Sequence, residues 1–298
     1  MDQQLDVFVT VAEKKNFSRA AEVLHMTQPA VSQYIKQLER EMDTKLLERT
    51  NKMVRLTKAG EVVYHHAKEI LSLSKRMRTL VDDMMHTASG PLAIGASYTF
   101  GEYVLPHLIA RLRDKYPLIQ PTIFIGNTRL VAEKVGGRQL DIGIVEGEVH
   151  QPKVYTEPLA NDYMEVVVHT GHRLAGRERI AFSDLKDETW IVREEGSGTR
   201  EMTERMFEDH EFQPKSMMKF GSTQVIKESV EAGLGISFLS KWAIRKELAL
   251  GTLKTLPIEE FPFMRQFSLI TQDTPFQTKA SEVFWDLLHE KISEMANN

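Results

Sequence analysis

Residues 17–57 read FSRAAEVLHMTQPAVSQYIKQLEREMDTKLLERTNKMVRLT. Two short helical patterns meet there at a tight polar break, and a basic, hairpin-like segment follows. Ala20, Ala21, Val23 and Leu24 lie in the first pattern. Ser18 is its expected N-cap, because a hydroxyl there accepts from the free N–H groups of the first turn. The alanines permit close helix packing. His25-Met26-Thr27-Gln28-Pro29 makes the break. Thr27 can cap the next helix, and Pro29 suits its first turn, where no N–H partner is lost. Ala30, Val31, Ile35 and Leu38 then face inward, while Gln28, Ser32, Gln33 and Lys36 face outward near the helix start. Upstream, Leu5, Phe8, Val9 and Ala12 recur at i, i+3, i+4 and i+7, one face of a preceding helix. This order of parts can lay one helix in a groove of duplex DNA and a basic wing on the phosphates beside it.

The outward set has chemical meaning. Glutamine reads adenine, serine reads either a base or a phosphate, and a helix N-terminus attracts phosphate. A solvated polar face is the other reading of the same four residues. Composition constrains the choice. The chain has 298 residues, 42% hydrophobic and 27% charged, which is ordinary for a soluble globular protein with room for two modest domains. Its net charge is −4, so it is not a general nucleic-acid coater, and DNA contacts must be concentrated locally. Residues 1–60 carry ten basic and eight acidic side chains, a net of +2, and the remainder carries −6.

There are no cysteines, which excludes disulfides and zinc fingers. The acidic start MDQQLD lacks a signal-peptide core. No apolar run approaches the roughly 18–20 residues that span a bilayer. The expectation is a cytoplasmic protein with no membrane partner.

From Ala59 to His86 no proline occurs, and no glycine after Gly60. Val63, Ile70, Met77 and Met84 recur every seven residues, and Ala59, His66, Leu73 and Leu80 form a second series. This is an a/d seam over about four heptads. It favours pairing with a second copy over packing on the chain's own domain. Thr87-Ala88-Ser89-Gly90-Pro91 closes the segment as a domain boundary.

Beyond it, PLAIGAS, TIFIG and LDIGIVEG read as strands, with helices over 103–115 and 130–135 between them. A second series holds MEVVVH, WIVREE, MKFGS and GISFLS, with helices over 200–209 and 225–232. QFSLIT and a helix over 279–295 return the chain. Strands alternating with helices imply a parallel α/β sheet. Small molecules bind at helix N-termini that follow strands. Four such places carry donors: Ser97-Tyr98-Thr99, Asn127-Thr128, Gly196-Ser197-Gly198-Thr199 and Ser222-Thr223-Gln224. Together they describe an anion cradle, and N-capping is the alternative use of each. No GxSxG, HExxH or GxxxxGK[ST] occurs, and GSGTRE has Glu201 where a dinucleotide fingerprint needs glycine. An enzyme is therefore not expected, nor a metal or cofactor.

The run SRAAEVLHMTQPAVSQYIKQLEREMDTKLLERTNKMVRLTKAG resembles the winged helix-turn-helix of the LysR-type transcriptional regulators. The matching positions include Phe17, Ala20-Ala21, Leu24, TQPAVS, Leu38-Glu39, Leu46-Leu47, Arg49 and the ending at Gly60. GHRLAGRERIAFSDLKDETWIVREEGSGTRE and VEAGLGISFLSKWAI resemble the effector domain of the same regulators, so the likeness covers nearly the whole chain. IVEGEV and REEGSGTR are most similar to the branch regulating cysteine and sulfite assimilation.

The resemblance implies an α+β multidomain protein. Residues 1–58 would be the winged helix-turn-helix and 59–89 the linker helix. Residues 90–298 would form a two-lobed α/β effector domain similar to type 2 periplasmic binding proteins, with lobe I at 91–161 and 268–298 and lobe II at 162–267. Thr27, Gln28, Pro29, Ser32 and Gln33 would sit at the bases, and Lys36, Arg49, Lys52 and Arg55 near the backbone. Ser97, Tyr98, Thr99, Thr128, Glu146, Ser197, Thr199 and Thr223 would line the effector cleft, where the ligand would be a sulfur oxyanion or small carboxylate. Glu146 would repel such an anion, and Arg200 or a ligand amine are its alternative partners. A homodimer through the linker, a homotetramer, and RNA polymerase as a further partner belong to the same expectation.

Overall fold

The computed structural model describes residues 2–49, 54–83, 88–147, 149, 151–258, 262–274 and 276–296. The chain divides into two compact units, Met1–Met84 and Met85–Asn298.

The first unit opens with α1 (Asp2–Lys14), α2 (Phe17–Val23) and α3 (Gln28–Glu41). A two-stranded hairpin, β1 (Leu47–Arg49) and β2 (Val54–Leu56), and the long helix α4 (Lys58–Asp83) follow. Leu5, Phe8, Ala20, Val31, Ile35, Leu38 and Leu46 make its core. The cap of α2 is Asn16, not Ser18. The Asn16 carboxamide oxygen accepts from the N–H groups of Ser18 and Arg19 at 2.9 and 3.0 Å, which places Ser18 inside the helix. Thr27 caps α3 as expected, accepting from the Ala30 N–H at 3.4 Å. Between the two helices His25 takes φ +53, a left-handed conformation in which histidine is enriched.

Helix α4 uses two faces. Val63, Tyr64, Ala67 and Leu71 pack on the unit's own core. Tyr64 donates to Glu13 at 3.1 Å, Ser74 to Asp2 at 2.7 Å, and Lys68 and Arg78 pair with Glu13 and Asp2. On a second face Val62, Ile70, Leu73, Met77 and Val81 are exposed. Val63 and Ala59 of the heptad series are thus drawn into the domain core, Ile70, Leu73 and Met77 are free, and Met84 lies outside the described residues. Gly60 permits the helix to start here: a Cβ on it would lie 2.0 Å from the Leu46 carbonyl oxygen.

The second unit begins with β3 (Gly90–Ser97), α5 (Tyr98–Tyr103), α6 (Leu105–Lys115), β4 (Ile119–Gly126), α7 (Thr128–Gly136) and β5 (Ile142–Glu146). The helix expected over 103–115 is α6, starting at Leu105, and the short α5 before it, separated at Val104, was not foreseen. Pro106 has no N–H to donate back, so the turn cannot run on. Then come β6 (Val154–His169), β7 (Thr189–Arg193), α8 (Gly198–Asp209), β8 (Ser216–Phe220), α9 (Thr223–Glu231) and β9 (Ser237–Ser240). The chain closes with α10 (Lys241–Leu250), β10 (Leu253–Thr255), β11 (Phe263–Gln272) and α11 (Lys279–Ala296).

The sheet runs β10-β6-β11-β5-β3-β4, with β9 also on β6. β3 pairs in parallel with β4 and β5, but β11 and β6 are antiparallel to their neighbours, so the sheet is mixed rather than purely parallel. The reason is β6. Its first half pairs with β11 in one lobe, and its second half, from Met164, pairs with β9 and β10 in the other. β6 and β11 thus carry the chain between two lobes. One lobe's core holds Leu92, Ile94, Leu108, Ile144, Phe267 and Phe284. The other holds Met164, Val166, Trp190, Met206, Ile236 and Phe238. Among the described residues no helix is long and apolar enough to cross a membrane.

Candidate functional site

Thr27, Gln28, Pro29, Gln33 and Lys36 are exposed at the start of α3, while Ser32 is half-buried. Gln28 Nε2 donates to Ser32 Oγ at 3.0 Å, a bond one helical turn long that holds the two side chains together on that face. Val31, Ile35 and Leu38 on the other face are fully buried, so α3 cannot rotate to hide its polar set. In the hairpin, Arg55 stands opposite Glu48 and is exposed. Arg49 faces Val54 in the register, its side chain lying outside the described residues, as does Lys52 altogether. Glu39 ties α3 to the hairpin: its carboxylate accepts from the N–H groups of Leu46 and Leu47 and from Lys45 Nζ at 2.7 Å.

In the second unit the residues expected to form a cradle converge, but on two arginines that the sequence reading did not single out. Arg265, on β11, is 4% exposed. Its Nε donates to Asp162 at 2.7 Å, Nη1 to Thr199 Oγ1 at 3.0 Å and Nη2 to Thr99 Oγ1 at 3.1 Å. Thr99 in turn donates to Glu146 Oε1 at 3.0 Å, which lies 3.6 Å from Nη2. Arg193, at the end of β7, donates to Thr223 Oγ1 at 3.0 Å and grips Glu194 with two further nitrogens at 2.7 and 2.8 Å. Its guanidinium lies 4.4 Å from the centre of the Tyr98 ring. Tyr103, on the same short helix, faces Lys227 at 4.9 Å.

The remaining expected residues lie beside this network. Thr128 donates to the Glu146 carbonyl at 2.6 Å. Ser97 is buried and its hydroxyl makes no hydrogen bond among the described residues. Ser197 stands at the start of α8 without capping it. Thr128 and Ser197 line a cavity of about 370 Å³ with Arg129, Ala132 and Arg200. Gly198 fits against β5, since a Cβ on it would lie 2.1 Å from the Glu146 carbonyl oxygen. Glu146 meets Arg265 rather than Arg200, which bonds Glu204 at 2.7 Å.

The electrostatics differ from those of a plain anion cradle. Burial pushes the Glu146 carboxyl up, against the pull of Arg265 and the Thr99 hydrogen bond. Burial also acts on Glu194, but there the bonds from Arg193 outweigh it and the carboxyl is lowered. The Thr99, Thr199 and Thr223 hydroxyl oxygens foreseen for a ligand already accept from guanidinium groups. A charged residue within a buried run, such as Arg193 after Trp190-Ile191-Val192, was the signal available in the sequence.

Residues 3–61 match the family model described as bacterial regulatory helix-turn-helix protein, lysR family, and residues 86–293 match the LysR substrate binding domain. The chain is 39% identical over 284 residues to the HTH-type transcriptional regulator CysL of Bacillus subtilis, covering 95% of each. Among solved structures it is similar to full-length OxyR from Pseudomonas aeruginosa, with TM-score 0.74, 26% identity, and 98% and 94% of the two chains covered. It is also similar to the regulatory domain of CcmR from Synechocystis, solved in complex with 2-PG, with TM-score 0.65, 28% identity, and 70% and 99% covered.

Proposed function

The chain belongs to the LysR family of helix-turn-helix transcription regulators, and from that premise we propose that α3 and the hairpin read an operator under control of a small acid bound between the two lobes. Regulators of this family bind DNA and small-molecule effectors, and their activity is transcription control, not catalysis. The observation that carries the reading is the exposed start of α3, where Gln28, Gln33 and Lys36 project from a helix whose other face is locked in a core. Gln28 and Ser32, with Thr27, Pro29 and Gln33, meet base edges. Lys36, Arg49, Lys52 and Arg55 meet phosphates.

Substituting Gln28→Ala or Ser32→Ala therefore costs about 1–3 kcal/mol per lost base contact and relaxes specificity at one position. Arg55→Ala weakens all sequences alike and flattens the salt dependence. Footprinting and fluorescence anisotropy on the operator check this. A Gln28→Ala protein with unaltered affinity and footprint rules out the groove assignment.

The effector reading is supported by the convergence of Thr99, Thr199 and Thr223 between the lobes, and by CcmR, solved with 2-PG. A small carboxylate or a sulfur oxyanion is the ligand class. The exposed apolar face of α4 supports a homodimer, and a homotetramer through the effector domains accords with the family's mode of action. The site of action is the cytoplasm, with RNA polymerase as the downstream partner.

A further inference from the structure

Glu146 is 2% exposed at the end of β5, and its Oε2 has no hydrogen-bond partner among the described residues. Its Oε1 accepts from the Thr99 hydroxyl at 3.0 Å. The charged groups around it come from three strands. Arg265 on β11 lies 3.6 Å from Oε1, Asp162 on β6 shares that arginine, and Arg193 on β7 also pulls on the carboxyl. The helices bring hydroxyls, Thr99 to the carboxyl and Thr128 to the carbonyl, while α8 packs Gly198 against Glu146 and sets Glu201 beside Gly147. Asp162 accepts from Arg265 and Ser240, each at 2.7 Å, and Glu194 holds Arg193 through two bonds. Three carboxyl groups thus stand against two guanidinium groups, and Glu146 is the least well bonded of the three. Burial already pushes its carboxyl up.

The Thr99 hydroxyl has a single proton to give. Its oxygen accepts from Arg265 Nη2 at 3.1 Å, and its proton goes to Glu146. An anion that takes the Thr99 proton therefore strips Glu146 of that donor. It also sets a second negative charge beside a buried carboxyl. Both changes favour the neutral acid. Thr199, on the other terminal nitrogen of Arg265 at 3.0 Å, offers the anion a second hydroxyl at the same guanidinium.

Resting on the reading of this cleft as the effector site, we propose that the acid effector binds together with one proton, which Glu146 takes up as the anion captures the Thr99 hydroxyl. Glu146 then no longer repels the anion, and two guanidinium groups face two carboxylates. Above the pH at which the ligand-free acid titrates, affinity falls as pH rises, by up to about tenfold per unit for one proton. Glu146 is the residue through which the regulator reads pH together with its ligand.

The test is calorimetric titration of the full-length protein with sulfate, acetate and propionate, none of which changes charge between pH 6.5 and 8.5. Each titration is run in two buffers of different protonation enthalpy, which counts the protons taken up. For a probe that binds, the expected result is uptake approaching one proton and affinity at least tenfold weaker at pH 8.5 than at pH 6.5. Glu146→Gln, which has the size and shape of the neutral acid, should take up no proton and bind equally at both pH values. At pH 8.5 it should bind at least tenfold more tightly than the native protein. The proton count in the native protein decides the matter even if that variant does not fold. Binding without proton uptake, or uptake that persists in Glu146→Gln, overturns the proposal, and loss of the same binding in Thr199→Ala then leaves the cleft reading standing. Binding that Thr199→Ala does not weaken overturns the cleft reading and the proposal with it. Absence of binding by all three probes overturns the ligand class, and again the proposal with it.

Discussion

Glu39 sits 8% exposed on α3, with three donors aimed at its carboxylate. Burial alone would push its carboxyl up, but the Lys45 bond and the N–H groups of Leu46 and Leu47 outweigh it and hold the carboxyl below its ordinary value. A carboxylate lowered in the folded state adds stability above its unfolded pKa, and that stability is lost as pH falls. Glu39→Gln should therefore cost about 1–3 kcal/mol at pH 7, the scale of buried donors left poorly satisfied. The gap to the native protein should narrow as pH falls below the ordinary value of 4.5. Urea melts at pH 7 and pH 3.5 check this, and a gap of equal size at both would show that the charge contributes nothing. In the sequence, Glu39 stands out only as one matched position of a family pattern, since its partners lie seven and eight residues on. Arg265 and Asp162 were hidden for a stronger version of the same reason. They are 103 residues apart and meet only because β6 and β11 pair. The hydroxyls around them were legible because strand–helix junctions announce themselves locally.

At the scale of elements, periodicity located the long helix but not the division of its faces. Heptad spacing foretold Ile70, Leu73 and Met77 as apolar and aligned, and they are exposed on one face. It could not foretell that Ala59 and Val63 belong to the domain core, because that follows from how α4 lies on α1. An exposed apolar row at a/d spacing is a surface for a second helix. Leu73→Glu or Met77→Glu places a charge in that row without touching the face packed on α1. The protein should stay folded, sediment as a monomer, and bind a two-half-site operator at least tenfold more weakly. Unchanged sedimentation in both variants would remove the helix pair as the dimer interface. The split of α5 from α6 follows a local rule, Pro106, whereas the mixed sheet does not: strand direction is fixed by where β6 and β11 cross.

The whole second unit is organised around that crossing. Asp162 and Arg265 stand opposite each other in the β6–β11 register and also form the ion pair, so the strands that join the lobes carry the charges that tie them. From there Arg265 reaches Thr99, on the helix after β3, and Thr199, on the helix after β7. Tyr98 and Tyr103 add two ring–cation contacts to Arg193 and Lys227. One short helix, α5, therefore meets the second lobe at Arg193 and Lys227 and the crossing strands at Arg265, and a ligand that alters any of these contacts biases the angle between the lobes. Such a shift changes function only through its differential affinity for the two arrangements. Thr199→Ala removes one bond to Arg265 at roughly 1 kcal/mol, small against the ion pair that remains, so the protein should fold and bind operator as before. Its response to effector should be lost, because the second lobe no longer shares the guanidinium with Thr99. Asp162→Ala is the contrasting case. It leaves the Arg265 guanidinium without its Asp162 partner and should cost about 3–5 kcal/mol, read as a large fall in melting temperature. An effector-responsive Thr199→Ala protein, or an Asp162→Ala protein as stable as the native one, would show that the lobes are coupled by something other than this arginine.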